Sequence, residues 1–498
     1  MGKKKKKVGN NMKKKKDTCI HLFILLLPII DFLTSIATWE NVPVSIGLII
    51  KGLFLIYACF YLLKHHANKK IFLILGFYFI TYFGYLFTSD KSLTTEMINI
   101  IKIFYLPTLI LFFSEYENQR ISKKTLAIVC LEYLLLYIVP FLFGLGHNIS
   151  EIYPNKELFL SYFYIGNELS NVFILCAPVV ITYLLESNSY LLKGIFLLLG
   201  CITALLMSTK TFYGCLLIIL IYFLISKRKN LLSFIKKNQL KFLLTIVVLL
   251  MGCIAYVPKS DLTQNIKASL EHYEINNVSE LFTFENIDHV LFSNRLTFLE
   301  NVYQNYKESP VTEKIFGIGR TKINEIKNVE IDIFDIFYSI GIIGMIFYSI
   351  FFFYILKKSK LKGVYKFTFI LLLIVSCFTG HVLISPFTST ILALLVIVSK
   401  NDKGKLKKDI LLVTNMYPNE EFPHYGIFVK NSYELLKENG FTIDLVVMHK
   451  TKGKIKKLFA YIKVCGVSLL KATFENYDYI YVHFVSHTTA GVLLPYLA

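Results

Sequence analysis

The sequence predicts a polytopic α-helical membrane protein with about twelve transmembrane helices, followed by a partial α/β domain, and three observations carry that expectation. Of 498 residues, 55% are hydrophobic and 15% aromatic, and the mean hydropathy is +0.55, too apolar for a soluble chain of this size. The apolar residues come in runs long enough to cross a bilayer. The basic residues, which give a formal net charge of +20, sit in short blocks between those runs. Cytoplasmic loops are marked in that way, whereas a nucleic-acid surface would gather its charge on one face, so nucleic acid is excluded as a partner.

Taken in order, residues 1–18 (MGKKKKKVGNNMKKKKDT) form a polybasic cytoplasmic N-terminus. Lys6 stands where a myristoylation signal requires Ser or Thr. The first apolar run contains Asp31 and lacks a small-residue cleavage site, so it reads as a retained span. Apolar runs fall near 19–39, 44–63, 71–88, 98–114, 125–145, 161–185, 191–208, 211–226 and 241–257, within residues 19–257, and near 334–356, 366–384 and 386–399, within 334–400. With the Lys-rich start inside, the basic connections at 64–70, 115–124, 226–241, 357–366 and 400–408 are inside too, while the short opposite connections carry only Lys91, Lys156 and Lys210. Both ends are therefore expected in the cytoplasm and residues 258–333 outside, as one long loop. Eight cysteines lie in apolar runs and Cys465 lies near the C-terminal end, with no paired spacing, which supports neither a disulfide framework nor a zinc site.

The long loop holds twelve acidic and eight basic residues. Only four of the chain's 54 basic residues are arginines, Arg120, Arg228, Arg295 and Arg320, and two of the four are in this loop. A guanidinium is the fork that grips phosphate or carboxylate through two bonds, though a solvated loop charge is the plainer use. SNRLTFLENVYQNYKESP predicts a helix capped by Ser293 or Asn294, with Leu296, Leu299 and Val302 on one face and Pro310 beyond its end. IFGIGR predicts a glycine turn presenting Arg320.

Polar residues at the ends of spans converge on the same side. Glu168 lies just inside a span that enters from outside, Lys210 at an outer turn, and His381 near the outer end of a span beginning at Lys366. Intramembrane ionisable groups are functional candidates, and a hydrogen bond between helices or a snorkelling side chain is the alternative for each. In the triplet Glu330, Asp332 and Asp335, the two aspartates open a span, where carboxylates satisfy orphan N–H groups; a catalytic base or acceptor-binding role is the alternative. Gly341 and Gly344 predict close helix packing.

YIGNELSNVFILCAPVV, STKTFYG, SNR followed by FGIGR and VEIDIFDIFYSIGIIG, and TGHVLISP occur in an order and topology that resembles the O-antigen ligase and O-antigen polymerase superfamily, in the form found in Gram-positive capsule and exopolysaccharide clusters. The resemblance covers residues 19–400. It implies a GT-C-like glycosyltransferase that takes a glycan from an undecaprenyl-diphosphate carrier at the outer leaflet and joins it to an acceptor glycan. It also implies that Arg295 and Arg320 hold the diphosphate; Lys210, from its place at an outer turn, is a further candidate for binding substrate. Displacing a lipid diphosphate from an anomeric carbon needs positive charge on the leaving group and a base for the attacking hydroxyl. The arginines supply the first without a metal or cofactor, and His381, Glu168 or Asp332 supplies the second.

After a basic linker at 401–408, residues 409–498 read as strand, loop, amphipathic helix ending at Gly440, strand, basic helix and third strand. This resembles the N-terminal Rossmann-like half of a GT-B, family-4 type glycosyltransferase without its donor-binding half. In the basic helix, Ile455, Leu458, Phe459 and Ile462 share a face that suits either anionic lipid or the neighbouring strands. The lipid bilayer and other polysaccharide-assembly proteins are expected partners. The competing functions are a lipid-linked-oligosaccharide flippase, which would place its key charges near the midplane and show repeats, and a non-catalytic platform for glycan assembly.

Overall fold

The computed structural model describes residues 2–226 and 260–483, apart from 43–45, 65–68, 152–157, 165, 208, 276, 278–279, 327, 381, 403–408, 451–452, 475–476 and 478. The expected span at 241–257, Arg228 and His381 lie outside the described residues. The chain divides into two compact units, residues 1–360 with 369–401, and residues 361–368 with 402–498.

The other eleven expected runs are helical: α1 (Gly2–Trp39), α2 (Ile46–Lys64), α3 (Lys69–Phe87), α4 (Leu93–Glu115), α5 (Lys123–Leu142), α6 (Gly166–Glu186), α7 (Tyr190–Leu206) and α8 (Lys210–Ser226), and, beyond the long loop, α13 (Asp332–Ser359), α14 (Gly363–Ser376) and α15 (Pro386–Asn401). Between the two sets the loop folds into α9 (Asp261–His272), α10 (Arg295–Glu308), α11 (Val311–Phe316) and α12 (Gly319–Ile326). Among the described residues six helices, α1 from Asp17 together with α2, α4, α5, α6 and α13, have the length and hydropathy to cross a membrane; α7, α8, α14, α15 and Leu75–Phe87 of α3 are shorter apolar helices.

Helices that are apolar all round belong in the centre. In α4 the residues from Ile103 to Phe113 are buried apart from Thr108, and in α15 every residue from Phe387 to Val398 is buried. These two helices pack on each other, α4 also meeting α2, α12 and α13, and α15 also meeting α6. The Ser/Thr run of α15 is no obstacle. Thr390 donates to the Pro386 carbonyl (2.7 Å) and pairs with the Tyr105 hydroxyl (3.1 Å), and Ser389 donates to the Leu383 carbonyl (2.9 Å).

Two expected elements come out differently. Gly341 was expected to ease helix packing, but its φ of +66° and ψ of −169° break the regular helix inside α13. The cause is a loop: the Ile318 N–H donates to the Tyr338 carbonyl (2.9 Å), and a Cβ on Gly341 or on Gly317 would each collide with backbone of the other's segment. Gly344 does serve packing, since a Cβ there would lie 2.7 Å from the Tyr78 hydroxyl of α3. The runs at 366–384 and 386–399 fold as helices of 14 and 16 residues, about 21 and 24 Å long. Residues 377–380 and 382–385 between them form turns, bends and irregular backbone, tolerated at membrane depth only where protein groups satisfy it.

The second unit holds a parallel three-stranded sheet, β1 (Asp409–Tyr417), β2 (Thr442–His449) and β3 (Tyr479–His483), in the order β2-β1-β3. Helices α16 (Ile427–Glu438) and α17 (Lys454–Phe474) make the crossovers. Gly440, at φ +82°, takes the left-handed position just past α16. Ile410 to Val413 of the central strand are all buried, as in a parallel sheet covered on both faces. Ala460, Tyr461, Val464 and Val467 of α17 pack on the sheet. The face bearing Ile455, Leu458, Phe459 and Ile462 therefore turns outward, with those residues 58–73% exposed.

Candidate functional site

The irregular segment between α14 and α15 is the point on which buried charge converges. Oδ2 of Asp332, fully buried at the start of α13, accepts the N–H groups of Val382 (2.8 Å) and Leu383 (2.6 Å). Oε1 of Glu168, in the first turn of α6, accepts the Ser385 hydroxyl (2.5 Å). Lys51 of α2 donates to the Pro386 carbonyl (3.2 Å), lies 5.6 Å from the Phe387 ring centroid, and forms a buried ion pair with Asp31 of α1, to which the Tyr133 hydroxyl also donates (2.5 Å). At the other end of the segment, a Cβ on Gly380 would meet the Glu330 backbone at 3.1 Å. Proline at the first position of α15, with the Ser385 hydroxyl accepting the Phe387 N–H (3.2 Å), then starts the central helix.

Glu330 connects this segment to the long loop. Its Oε2 lies 3.3 Å from Nη2 of Arg295, whose side chain is 11% exposed and whose Nε has no hydrogen-bond partner among the described residues. Arg295 opens α10, yet neither residue expected to cap that helix does so: Ser293 and Asn294 are left-handed, at φ +56° and +66°. Asp288 takes the role, accepting the Leu296 and Thr297 N–H groups (2.9 Å each) and the Thr297 hydroxyl (2.8 Å). The expected apolar face forms, with Val302 and Leu299 packed among Ile318, Ile323 and Tyr338. Lys210, at the N-terminal end of α8, donates to the Val290 carbonyl and so holds the turn that precedes Arg295.

Arg320 follows the Gly317–Gly319 turn. Glu96 of α4, fully buried, accepts the Arg320 N–H (3.0 Å) on Oε2, and the Thr321 N–H and hydroxyl (2.8 Å each) on Oε1, capping α12 from a different helix. Lys91, in the connection before α4, donates to the Gly317 carbonyl and to the Tyr85 hydroxyl (2.7 Å each), with Glu313 4.0 Å away. Burial pushes the Lys91 ammonium down to about 8, the nearby Glu313 and Glu96 opposing the shift. The Arg320 side chain itself is half-buried.

The N-terminal ends of α4, α6, α8, α13 and α15 thus all meet the long loop or the 377–385 segment, concentrating positive dipole ends at one end of the bundle. The first unit brings Glu168 and Asp332 onto one segment, sets Arg295 beside it through Glu330, and aims Lys210 at loop backbone. Asp31, Lys51, Tyr133 and Ser385 belong to the same network, Glu96 holds the Arg320 turn, and none of the five emerged as a site from the sequence. Asp31 and Lys51 did carry a signal: opposite charges in adjacent apolar runs.

The family described as O-antigen ligase like membrane protein matches residues 13–281 and 277–400. The chain belongs to that family. The match takes in every helix from α1 to α15 and stops before β1. This O-antigen ligase-like protein is accordingly a multi-pass membrane protein, and the family implies a membrane enzyme that transfers glycosyl groups. No curated protein and no solved structure matches it.

Proposed function

We propose that this protein is a glycosyltransferase that takes undecaprenyl-diphosphate-linked oligosaccharide at the outer face of the cell membrane and polymerises it or ligates it to an acceptor glycan, in cell-surface polysaccharide biosynthesis. The observation that carries the reading is the convergence of Asp332, Glu168 and Lys51 on residues 382–386, at the bundle end where the arginine loop packs.

In this reading both termini are cytoplasmic, the chain spans the bilayer twelve times, and the long loop covers the site from outside. Arg295 and Arg320 grip the diphosphate, their planar forks neutralising the charge that develops on the leaving group. Lys210 acts indirectly, fixing the turn before Arg295. Asp332, with one oxygen already accepting two amide groups, holds the segment in shape. The base for the attacking hydroxyl is His381, next to Gly380 in sequence, or Glu168 beside Ser385. The second unit corresponds to the N-terminal half of a GT-B glycosyltransferase, docking to the bilayer or to assembly partners. Against a flippase, the charged network gathers around a loop and the segment at 382–386, whereas transport favours charges near the midplane.

The test is transfer by purified protein supplied with a synthetic undecaprenyl-diphosphate oligosaccharide and an acceptor. Release of undecaprenyl diphosphate together with a lengthened or ligated glycan is expected; movement of the intact lipid across vesicles without transfer would replace the enzyme by a flippase. In a deletion strain, accumulated single repeat units identify a polymerase and accumulated long chains a ligase.

A further inference from the structure

α4 changes character at its midpoint. From Ile103 onward it is core, but in its first half Met97, Ile98 and Ile101 are 40–49% exposed, and Lys102, the last residue before the buried stretch, is exposed with them. A lysine closing an apolar, lipid-accessible half-face at this depth is costly unless it meets an anion.

The other side of the same place supplies a second cation. Glu96 caps α12 at Arg320, and Lys102 lies six residues further along α4, about 9 Å away, a gap that the two long side chains span; Lys102 and Arg320 lie within Coulombic reach of each other, with Glu168 in reach of Lys102. Neither cation forms an ion pair or a side-chain hydrogen bond with any described residue, and Glu168 is already engaged by Ser385. Between them on α4, Asn99 is 7% exposed and its Nδ2 has no hydrogen-bond partner among the described residues. The two carboxylates nearby, Glu96 and Glu168, already accept the Arg320 and Thr321 N–H groups and the Ser385 hydroxyl, so the two cations and the buried amide donor are left to meet an anion bearing several oxygens.

We infer that Lys102, with Arg320 and Asn99, binds the diphosphate of a polyprenyl carrier, whose isoprenoid chain lies along Met97, Ile98 and Ile101. This rests on the reading of the substrate proposed above and adds a residue to it. Lys102 and Arg320 approach the diphosphate from two elements, so that the carrier enters sideways from the bilayer along α4.

The experiment uses the full chain in phosphatidylcholine nanodiscs and measures binding of undecaprenyl diphosphate, without a glycan, by native mass spectrometry. Lys102→Met, which suits an apolar helix, should weaken binding roughly 10- to 100-fold, the loss of one charge-assisted contact. Lys102→Arg should stay within about 3-fold of the wild type, and undecaprenol should bind all three forms equally. Unchanged diphosphate binding by Lys102→Met overturns the inference and leaves the proposed function standing, whereas absence of binding by the wild type removes both. Equal displacement by phosphatidylglycerol would make this a general anionic-headgroup site and also overturn it. Independently of any Lys102 variant, a photoreactive residue at Ile101 should cross-link to the diphosphate carrier; no cross-link in a protein that binds the carrier contradicts the route along α4.

Discussion

Arg295 and Arg320 are anchored differently, and that difference shapes what substitution does. Among the described residues the buried Arg295 guanidinium has one partner, Glu330, while Arg320 is fixed through its backbone by Glu96 and its side chain forms no ion pair. Arg→Lys at either position keeps the charge and loses the fork, and should slow glycan transfer roughly 30- to 1000-fold. Arg120→Lys, whose guanidinium donates to the Thr18 hydroxyl (2.7 Å), should leave the rate unchanged; near-normal rates for both loop variants would show that they do not hold the leaving group. Lys91 offers a pH test. Its folded value of about 8 lies below the ordinary lysine value, so between about pH 8 and 10.5 the unfolded chain binds more protons, and this group makes the fold more stable as pH rises. The Tm of the wild type relative to Lys91→Met should therefore rise as pH goes from 7.5 to 10. A wild-type Tm that falls relative to the variant's over that range would mean that the ammonium is not held at a cost.

At the scale of elements, the regular helices were legible because apolar runs and their lengths are local facts. What escaped depends on a distant partner. No local pattern says that Gly341 yields to Gly317, that Asp288 caps α10 in place of Ser293 or Asn294, or that residues 382–385 leave the helix because α13 and α6 supply their hydrogen bonds. The candidate site was legible one residue at a time, through charges stranded in apolar surroundings, but the network that joins them was not. Gly317→Ala and Gly341→Ala should each cost about 2–4 kcal/mol, the clash adding to the strain of a left-handed residue, with the double variant costing less than the sum because the two share one contact. For Asp332 the roles separate cleanly. Asp332→Asn keeps an accepting oxygen and should retain most transfer activity, while Asp332→Ala strands two buried N–H groups and should lower stability by about 2–5 kcal/mol. A folded, inactive Asp332→Asn would make this carboxylate the base instead.

For the whole molecule, the topology and the tail carry the tests. A single cysteine at Asn305 should react with an impermeant thiol reagent in intact cells, and one at Asn188, in the connection between α6 and α7, should not. Removing residues 409–498 should leave transfer in place, since the family match and the charged network both end before β1. Loss of activity in a well-inserted truncated protein would couple the two units. The segment at 382–386 also bears on how the chain is made. Its anchors at Lys51, Glu168 and Asp332 leave the ribosome first, so Glu168 is made 217 residues before the Ser385 hydroxyl it accepts and Asp332 50 residues before the Val382 N–H. A nascent chain halted before Gly380 therefore holds both carboxylates without these partners, and it is the short segment leading into α15, made late, that closes the network.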